Sequence, residues 1–405
     1  MAAPTTLTRT PRTTTQPTRA MVPAKKAAPL QTPHMPGPRL FQVMRVGLVV
    51  WTLVSSVLCL ASVLASQSHQ ESSAGALIHA QDIRDLRSEV SQAQAMALTS
   101  MLDPQGTAGT NLWDLYGESR TQVDLLLLGS AASASHPADL GDVANKLRIW
   151  QENLAVIHHD FTEQGTLAED ATTTISTDYT AVINAITTEL NATASQESSS
   201  TPFIVLSILA SVLGGLGFVV VLVVTARRSH RVINVGLSIG LLAIIAAIVA
   251  VGIYANHSGQ ISDTDSRIAV LSQAQTDTWD ARSEDALSIL EPDSSQTHLN
   301  AAKDLATLIS SSLRPLTSID VLSLVTDQST IMATGDPAAR SDLILNGSSW
   351  QTLSTALDIT IDSARPDAAN LVVPALGYVV TVATCCVIAI IATLAGIHAR
   401  TKEYS

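Results

Sequence analysis

The chain carries little charge for its length. Only 14% of its 405 residues are Asp, Glu, Lys or Arg, against about 25% in a typical soluble domain. Four runs contain none of these residue types, and each reaches the roughly 20 residues that a helix needs to cross the hydrocarbon core of a bilayer. With flanking residues, the predicted transmembrane spans are 44–65, 202–225, 232–255 and 371–397.

Cysteine is almost absent as well. The three cysteines, Cys59, Cys385 and Cys386, all fall inside predicted spans. They cannot link the polar segments that lie between the spans, so those segments must be held together by packing.

The sequence also lacks the motifs of common enzyme and metal sites. It contains no Gly-rich phosphate loop, no G-x-S-x-G and no Cys or His pair at ligand spacing. The nearest approach to a metal cluster is His158-His159-Asp160. Because it lies between the expected core positions Ile157 and Phe161, we expect it on the solvated face of its helix. We therefore expect no catalytic residue, no cofactor and no metal ion.

Charges of opposite sign occupy different parts of the chain. The residues before the first uncharged run, 1–45, carry seven bases and no acid, and the hairpin 226–231 holds three arginines. The two long segments 66–201 and 256–370 carry eighteen acids against five bases and sixteen against six. By the positive-inside rule, the hairpin and both termini are predicted to be cytoplasmic, and the acidic segments extracytoplasmic, in the plasma membrane. The acidic balance argues against a nucleic-acid partner.

The two tails and the first span have simple interpretations. Residues 1–43 are rich in Thr and Pro and have little to bury, so we expect a disordered basic tail lying against anionic lipid headgroups. Phosphorylation of its threonines is the alternative. A short tail, 398–405, ends the chain.

A signal peptide cleaved after Ala65 is the alternative to the first span, but its leader would be too long, so we predict a retained anchor.

Apolar residues in the first acidic segment recur at helical spacing. A helix is predicted over 112–128, between breaks at 102–106 and 129–141, and Gly165 closes the next helix. That next helix has the clearest heptad pattern, with steps of four and three: Val143, Leu147, Trp150, Leu154, Ile157 and Phe161. Four helices with short connections predict an antiparallel bundle whose first and last helices continue into the spans.

The second acidic segment repeats this plan less regularly. Helices are predicted over 259–290, 297–313, 316–333 and 336–345, and a last one begins near 346–349. Pro366 is expected to kink or interrupt that last helix. The predicted fold is therefore an all-α membrane protein, with four transmembrane helices and two extracytoplasmic antiparallel helical bundles in a duplicated span-bundle-span arrangement. Common ancestry of the two halves stays open.

The predicted spans carry small residues at helix-packing spacing. Gly214 lies in the second span, and Gly236 and Gly240 lie in the third. Small residues let helix backbones approach closely inside a membrane. We expect them to pack the four spans of one chain together, and formation of a homo-oligomer is the alternative. The uncharged runs of the four spans contain no Asp, Glu, Lys or Arg, which argues against a transport pathway.

Two short sequences carry a resemblance to a known family. Residues 230–237 read His-Arg-Val-Ile-Asn-Val-Gly-Leu, and the start of the last outer helix, 346–350, reads Asn-Gly-Ser-Ser-Trp. With four spans and two outer helical domains, the chain resembles the actinobacterial GlnX membrane proteins. That family shows an Arg-Arg-Val-Asn-Pro-Gly-Leu-like run, whereas this chain has an additional isoleucine and no proline.

The resemblance implies a sensor rather than an enzyme. It implies that the outer domains contact an extracytoplasmic amino-acid-binding lipoprotein, GlnH, and that the signal reaches the cytoplasmic Ser/Thr kinase PknG. Because the chain places little other mass on the cytoplasmic side, the candidate contacts for such a kinase are Arg227, Arg228 and Arg231. The alternative function is a non-catalytic structural or accessory subunit of a cell-envelope or transport complex.

Overall fold

The protein is described by a computed structural model that covers residues 37–133, 140–168, 170–196, 201–229, 235–314, 321–372 and 375–403. Within these ranges the chain forms eleven α-helices, one 3-10 turn at Pro292–Ser294 and no strand. The helices are α1 (Gly37–Ser100), α2 (Thr107–Ser133), α3 (Leu140–Gln164), α4 (Ala171–Gln196), α5 (Thr201–Ser229), α6 (Val235–Leu290), α7 (Ser295–Leu313), α8 (Leu322–Ala333), α9 (Pro337–Asn346), α10 (Ser349–Val372) and α11 (Ala375–Glu403). Most of the predicted tail, residues 1–36, lies outside the described ranges.

Four of these helices are long and apolar enough to cross a membrane. The candidate spans are Val46–Ala65 in α1, Val205–Val224 in α5, α6 from Val235 onward, and Gly377–Gly396 in α11. They coincide with the four uncharged runs of the sequence. The prediction of an all-α protein with four membrane-length helices is therefore confirmed.

Two helices continue from a span into the polar part of the molecule without a break. Helix α1 has 64 residues and α6 has 56, which at about 1.5 Å per residue gives lengths of about 96 and 84 Å. Neither contains a proline beyond its first turn, and each ends just before a Pro, at 104 and 292. The helix predicted over 259–290 is the second part of α6, which begins at Val235 and continues to Leu290 without interruption.

The first polar segment forms one core from the end of α1 with α2, α3 and α4. The predicted heptad positions Val143, Leu147, Trp150 and Leu154 are almost fully buried in it. Gly165 ends α3 as predicted, with a φ of 72° that favours glycine. Helix α2 continues through Gly129 to Ser133, so the break expected at Gly129 was placed too early.

The second polar segment is built from the end of α6 with α7, α8, α9 and α10. Asp336 caps α9 by accepting a hydrogen bond from the Ala338 amide at 3.3 Å. Trp350 on α10 is almost fully buried. Pro366 does not interrupt α10, which continues to Val372.

The two polar segments are in direct contact through α1 and α6. The core of the first segment includes Trp279, Ala286 and Leu287 from α6. Leu102, which follows α1, packs against the cluster formed by α7, α8 and α9. The polar helices therefore form one continuous packed body around the α1–α6 pair.

Candidate functional site

Polar side chains join α1 to α6 along the line where the two helices meet. Arg84 on α1 donates hydrogen bonds to both carboxylate oxygens of Asp265 on α6, at 2.8 and 3.4 Å. Both side chains are more than four-fifths buried. One turn further along α1, Arg87 Nη1 donates to Gln273 Oε1 at 2.9 Å. We call Arg84, Arg87, Asp265 and Gln273 the polar seam.

Further polar contacts bring α4 and α10 onto the same pair of helices. Arg365 on α10 donates to both carboxylate oxygens of Asp85 at 2.6 Å. The Tyr179 hydroxyl on α4 donates to Asp280 on α6, and it accepts from Ser91 on α1 at 2.6 Å. Such partly buried, charge-assisted contacts fix the relative positions of four helices.

A cavity of about 260 Å³ lies beside the polar seam, between α1, α4 and α6. The polar seam forms one part of its wall, and Leu77, Ala80 and Leu190 contribute apolar surface. Its lining on α1 begins at Ala76 and ends at Arg87, about 16 to 33 Å beyond the end of the span at the helical rise per residue. The volume is just below the roughly 300–1,000 Å³ of drug-sized ligand sites, so it suits a smaller molecule.

Burial raises the pKa of several carboxyl groups around the α1–α6 pair. Desolvation, with help from the nearby carboxylate of Asp358, raises the pKa of Glu89 to about 7. Desolvation likewise raises the pKa of Asp85 and of Asp280 to about 6 against the opposing effect of their hydrogen-bond donors. The fully buried Asp285 reaches a pKa of about 7 for the same reason. The polar body therefore contains carboxyl groups that exchange protons close to neutral pH.

This burial predicts that mild acid stabilises the polar body. A carboxyl whose folded pKa exceeds its unfolded value contributes stability that is present at low pH and lost as the pH rises through the folded pKa. Asp285, which accepts from Gln328 at 2.8 Å, should contribute up to about 1.4 kcal/mol of this loss per pH unit. The variant Asp285→Asn, which resembles the protonated form, should show a flatter dependence of unfolding free energy on pH between 5 and 8.

The measurement is chemical unfolding of the intact protein in detergent, followed by tryptophan fluorescence at several pH values. Asp142→Asn is the matched control, because Asp142 is largely exposed on α3 and should leave the slope unchanged. Equal slopes for wild type and Asp285→Asn would contradict the prediction.

The two adjacent histidines on α3 have different surroundings. His158 stacks on Trp113 of α2, with ring centroids 3.4 Å apart and an interplanar angle of 5°. Burial and the neighbouring His159 lower the pKa of His158 to about 4. The expectation that His158 lies on a solvated face was therefore wrong, because α2 covers it. His159 faces outward beside Glu163, and no group of three possible metal ligands occurs within the part of the chain that the structure describes.

Each of the three predicted packing glycines lies where another span approaches. A Cβ on Gly236 would be 2.5 Å from the Cα of Gly396 and 2.7 Å from the carbonyl oxygen of Ala392, both on α11. On Gly240 it would be 2.6 Å from the ring of Phe218 on α5. On Gly214 it would be 3.0 Å from the Ser55 hydroxyl on α1. These contacts connect all four spans.

The hairpin arginines are only partly described. Helix α5 continues to Ser229, so Arg227 and Arg228 are helical and the turn begins later than predicted. Arg227 is exposed, and Arg231 lies outside the described ranges. Arg227 lies at the end of α5 opposite to the end that follows α4, and is therefore far from the polar seam.

The polar seam was not predicted from the sequence. A signal was present, because Arg84 and Arg87 are two of only five bases in the acidic segment 66–201 and lie one helical turn apart. Nothing in the sequence indicated that Asp265 and Gln273, nearly two hundred residues later, would be their partners.

The fold and the cavity together define a class of protein. The chain is an all-α protein with four helices long enough and apolar enough to span a membrane, and two of these helices continue into a polar helical body with a cavity. Comparison of the chain with protein-family models, curated proteins and solved structures finds no match.

Proposed function

We propose that this protein is a non-enzymatic transmembrane sensor that transmits a signal from the polar helical body to the opposite end of its spans. The observation that carries the proposal is the continuity of α1 and α6. Each is a single helix from its membrane span to the core of the polar body, and the two pack against each other there. A displacement of α1 relative to α6 at the polar seam would move both spans.

The direction of signalling follows from the charge distribution. We place the two acidic segments outside the plasma membrane, as the two halves of a duplicated span-bundle-span arrangement, and the basic tails and hairpin inside. The input is then extracytoplasmic. An input shifts the two helices only if it binds one arrangement of the polar body more tightly than the other.

The partners of the sensor follow from the resemblance of residues 230–237 and 346–350 to the GlnX proteins. We propose an extracytoplasmic amino-acid-binding lipoprotein as the input and a cytoplasmic Ser/Thr kinase as the output. The kinase would contact the hairpin, at Arg227, Arg228 and Arg231. Arg227 is exposed at the end of α5, as such a contact requires.

A second candidate function has its own support in the ion pairs between the polar helices. The ion pairs Arg84–Asp265 and Arg365–Asp85 hold α1, α6 and α10 together at 2.8 and 2.6 Å. Such contacts also suit a static body, as in a structural or accessory subunit of an envelope or transport complex. The two functions differ in whether helix continuity is required.

Breaking α1 between its span and the cavity separates these functions. Gly75 has no atom within 4 Å of where its Cβ would lie, so Gly75→Pro removes no packing. Proline there removes a backbone hydrogen bond and clashes with the preceding turn, at a cost of about 3 kcal/mol or more. Gly75→Pro should abolish signalling, whereas the matched control Gly75→Ala, which keeps the helix, should signal like wild type.

The readout is the set of cytosolic phosphorylation sites that change when the gene is deleted, compared between cells carrying each variant at equal membrane levels. Wild-type phosphorylation in Gly75→Pro cells would contradict the sensor proposal and favour a static role. Affinity purification of the full-length protein in detergent adds an independent result. Recovery of an ATPase with a permease, instead of a binding protein and a kinase, would also favour the accessory role.

A further inference from the structure

The cavity between α1, α4 and α6 contains an incompletely paired cation. Arg87 lines this cavity, and among the described residues its only hydrogen bond is from Nη1 to the amide oxygen of Gln273 at 2.9 Å. Its Nε is buried and has no hydrogen-bond partner among the described residues. Arg84, the other arginine of the wall, differs because both its terminal nitrogens donate to Asp265.

Asp277 and Asp280 are close enough to interact electrostatically with Arg87, but neither forms a hydrogen bond with it, and the second Asp277 oxygen is buried without a partner among the described residues. One Asp277 oxygen accepts from Gln273 Nε2 at 2.6 Å, and Asp280 accepts from the Tyr179 hydroxyl. Within the described residues, no carboxylate forms an ion pair with Arg87. A guanidinium offers five N–H donors in a planar fork that matches a carboxylate, so this one retains donors for a further acceptor.

The remainder of the wall favours a small ligand with an apolar portion. Leu77, Ala80 and Leu190 give the cavity apolar surface. Ser272, also in the wall, has a buried hydroxyl with no partner among the described residues, which adds a second polar group. A cavity that combines guanidinium donors left without an acceptor and apolar surface fits an anion that carries a short hydrocarbon chain.

We propose that this cavity binds a small carboxylic acid, whose carboxylate accepts hydrogen bonds from Arg87 and whose hydrocarbon portion lies against Leu77, Ala80 and Leu190. The binding site belongs to the chain itself. Binding stands independently of the proposed function; only its consequence for the spans rests on that function. These ligand contacts lie on α1 and α4, and Ser272 places α6 in the same wall, so a bound ligand would favour one arrangement of the three helices.

The test compares two probes of nearly equal size that differ in charge, butyrate and the neutral butyramide. Isothermal titration of the full-length protein in detergent should show that butyrate binds at least tenfold more tightly than butyramide. Arg87→Met should weaken butyrate binding at least tenfold, and Arg87→Lys should weaken it less because the charge remains. Arg148→Met is the matched control, since Arg148 is exposed on α3, and it should bind butyrate like wild type.

A second variant tests the cavity without altering Arg87. Ala269 lines the cavity from α6, and Ala269→Leu should fill the space and prevent butyrate binding while the unfolding temperature stays close to that of wild type. Equal affinities for the two probes, no saturable butyrate binding, or wild-type binding by Ala269→Leu would each overturn the proposal. Signalling is measured separately with Gly75→Pro. If that variant loses signalling but still binds butyrate, the result does not contradict the proposed cavity site or its chemistry.

Discussion

Gly236→Leu is expected to separate the third and fourth membrane spans and to lower the thermal stability of the detergent-solubilised protein sharply. The atoms that its side chain would meet, the Gly396 Cα and the Ala392 carbonyl oxygen, belong to the backbone of α11. Backbone atoms cannot rotate away, so α6 and α11 must move apart. Overpacking of this kind costs about 1–3 kcal/mol and sometimes more, and here it would also disturb the contact between Gly240 and Phe218.

The control lies on the same helix. Gly252 is in the same predicted span, but a Cβ there would have no atom within 4 Å. Gly252→Leu adds the same side chain facing away from the other spans and should leave the unfolding temperature nearly unchanged. If both variants unfold at the wild-type temperature, the close approach of α6 to α11 is not a feature of the folded protein.

Trp150→Ala is expected to destabilise the polar body by about 3–5 kcal/mol, the range for removing a fully buried aromatic side chain. Trp150 is completely buried in the core that α3 shares with α1. Its Nε1 donates to Gln94 Oε1 on α1 at 3.0 Å. The truncation therefore leaves a cavity and also an unpaired buried amide, which adds to the cost.

Two further variants separate these contributions in the same denaturant titration. Trp150→Phe keeps most of the apolar volume and should lose about 1–3 kcal/mol, chiefly from the unpaired Gln94. Val156→Ala, on the exposed face of α3, should change the unfolding free energy by no more than about 0.5 kcal/mol. A loss below 1 kcal/mol for Trp150→Ala would mean that α3 does not pack on α1 as described.

Helix positions and core residues were predictable because they depend on local order in the sequence. The absence of charge marked the four spans, and heptad spacing identified Trp150 and its neighbours as core residues. Prolines and glycines marked most helix ends, including Gly165. The errors were also local: Gly129 and Pro366 are tolerated inside helices, because a single helix-weakening residue costs less than the packing of a long helix contributes.

The environment of individual polar residues was less predictable. His158 has the spacing of an exposed residue on α3, yet Trp113 of α2 covers its ring. The sequence does not distinguish Glu89 and Asp285 from the exposed acidic residues of their segments. In the structure, burial raises the pKa of each to about 7. Burial depends on which helices lie alongside, and the sequence of one helix does not contain that information.

The sequence by itself determined that this is an all-α protein with four membrane-length helices, because charge-free length and apolar periodicity are properties of contiguous residues. Only the tertiary structure decided that α1 and α6 pair beyond the membrane, and that Arg84 and Arg87 meet Asp265 and Gln273. Those contacts join residues about 180 positions apart, and many acids were available as partners. The pairing is fixed by how the helices pack, and so is the cavity beside it.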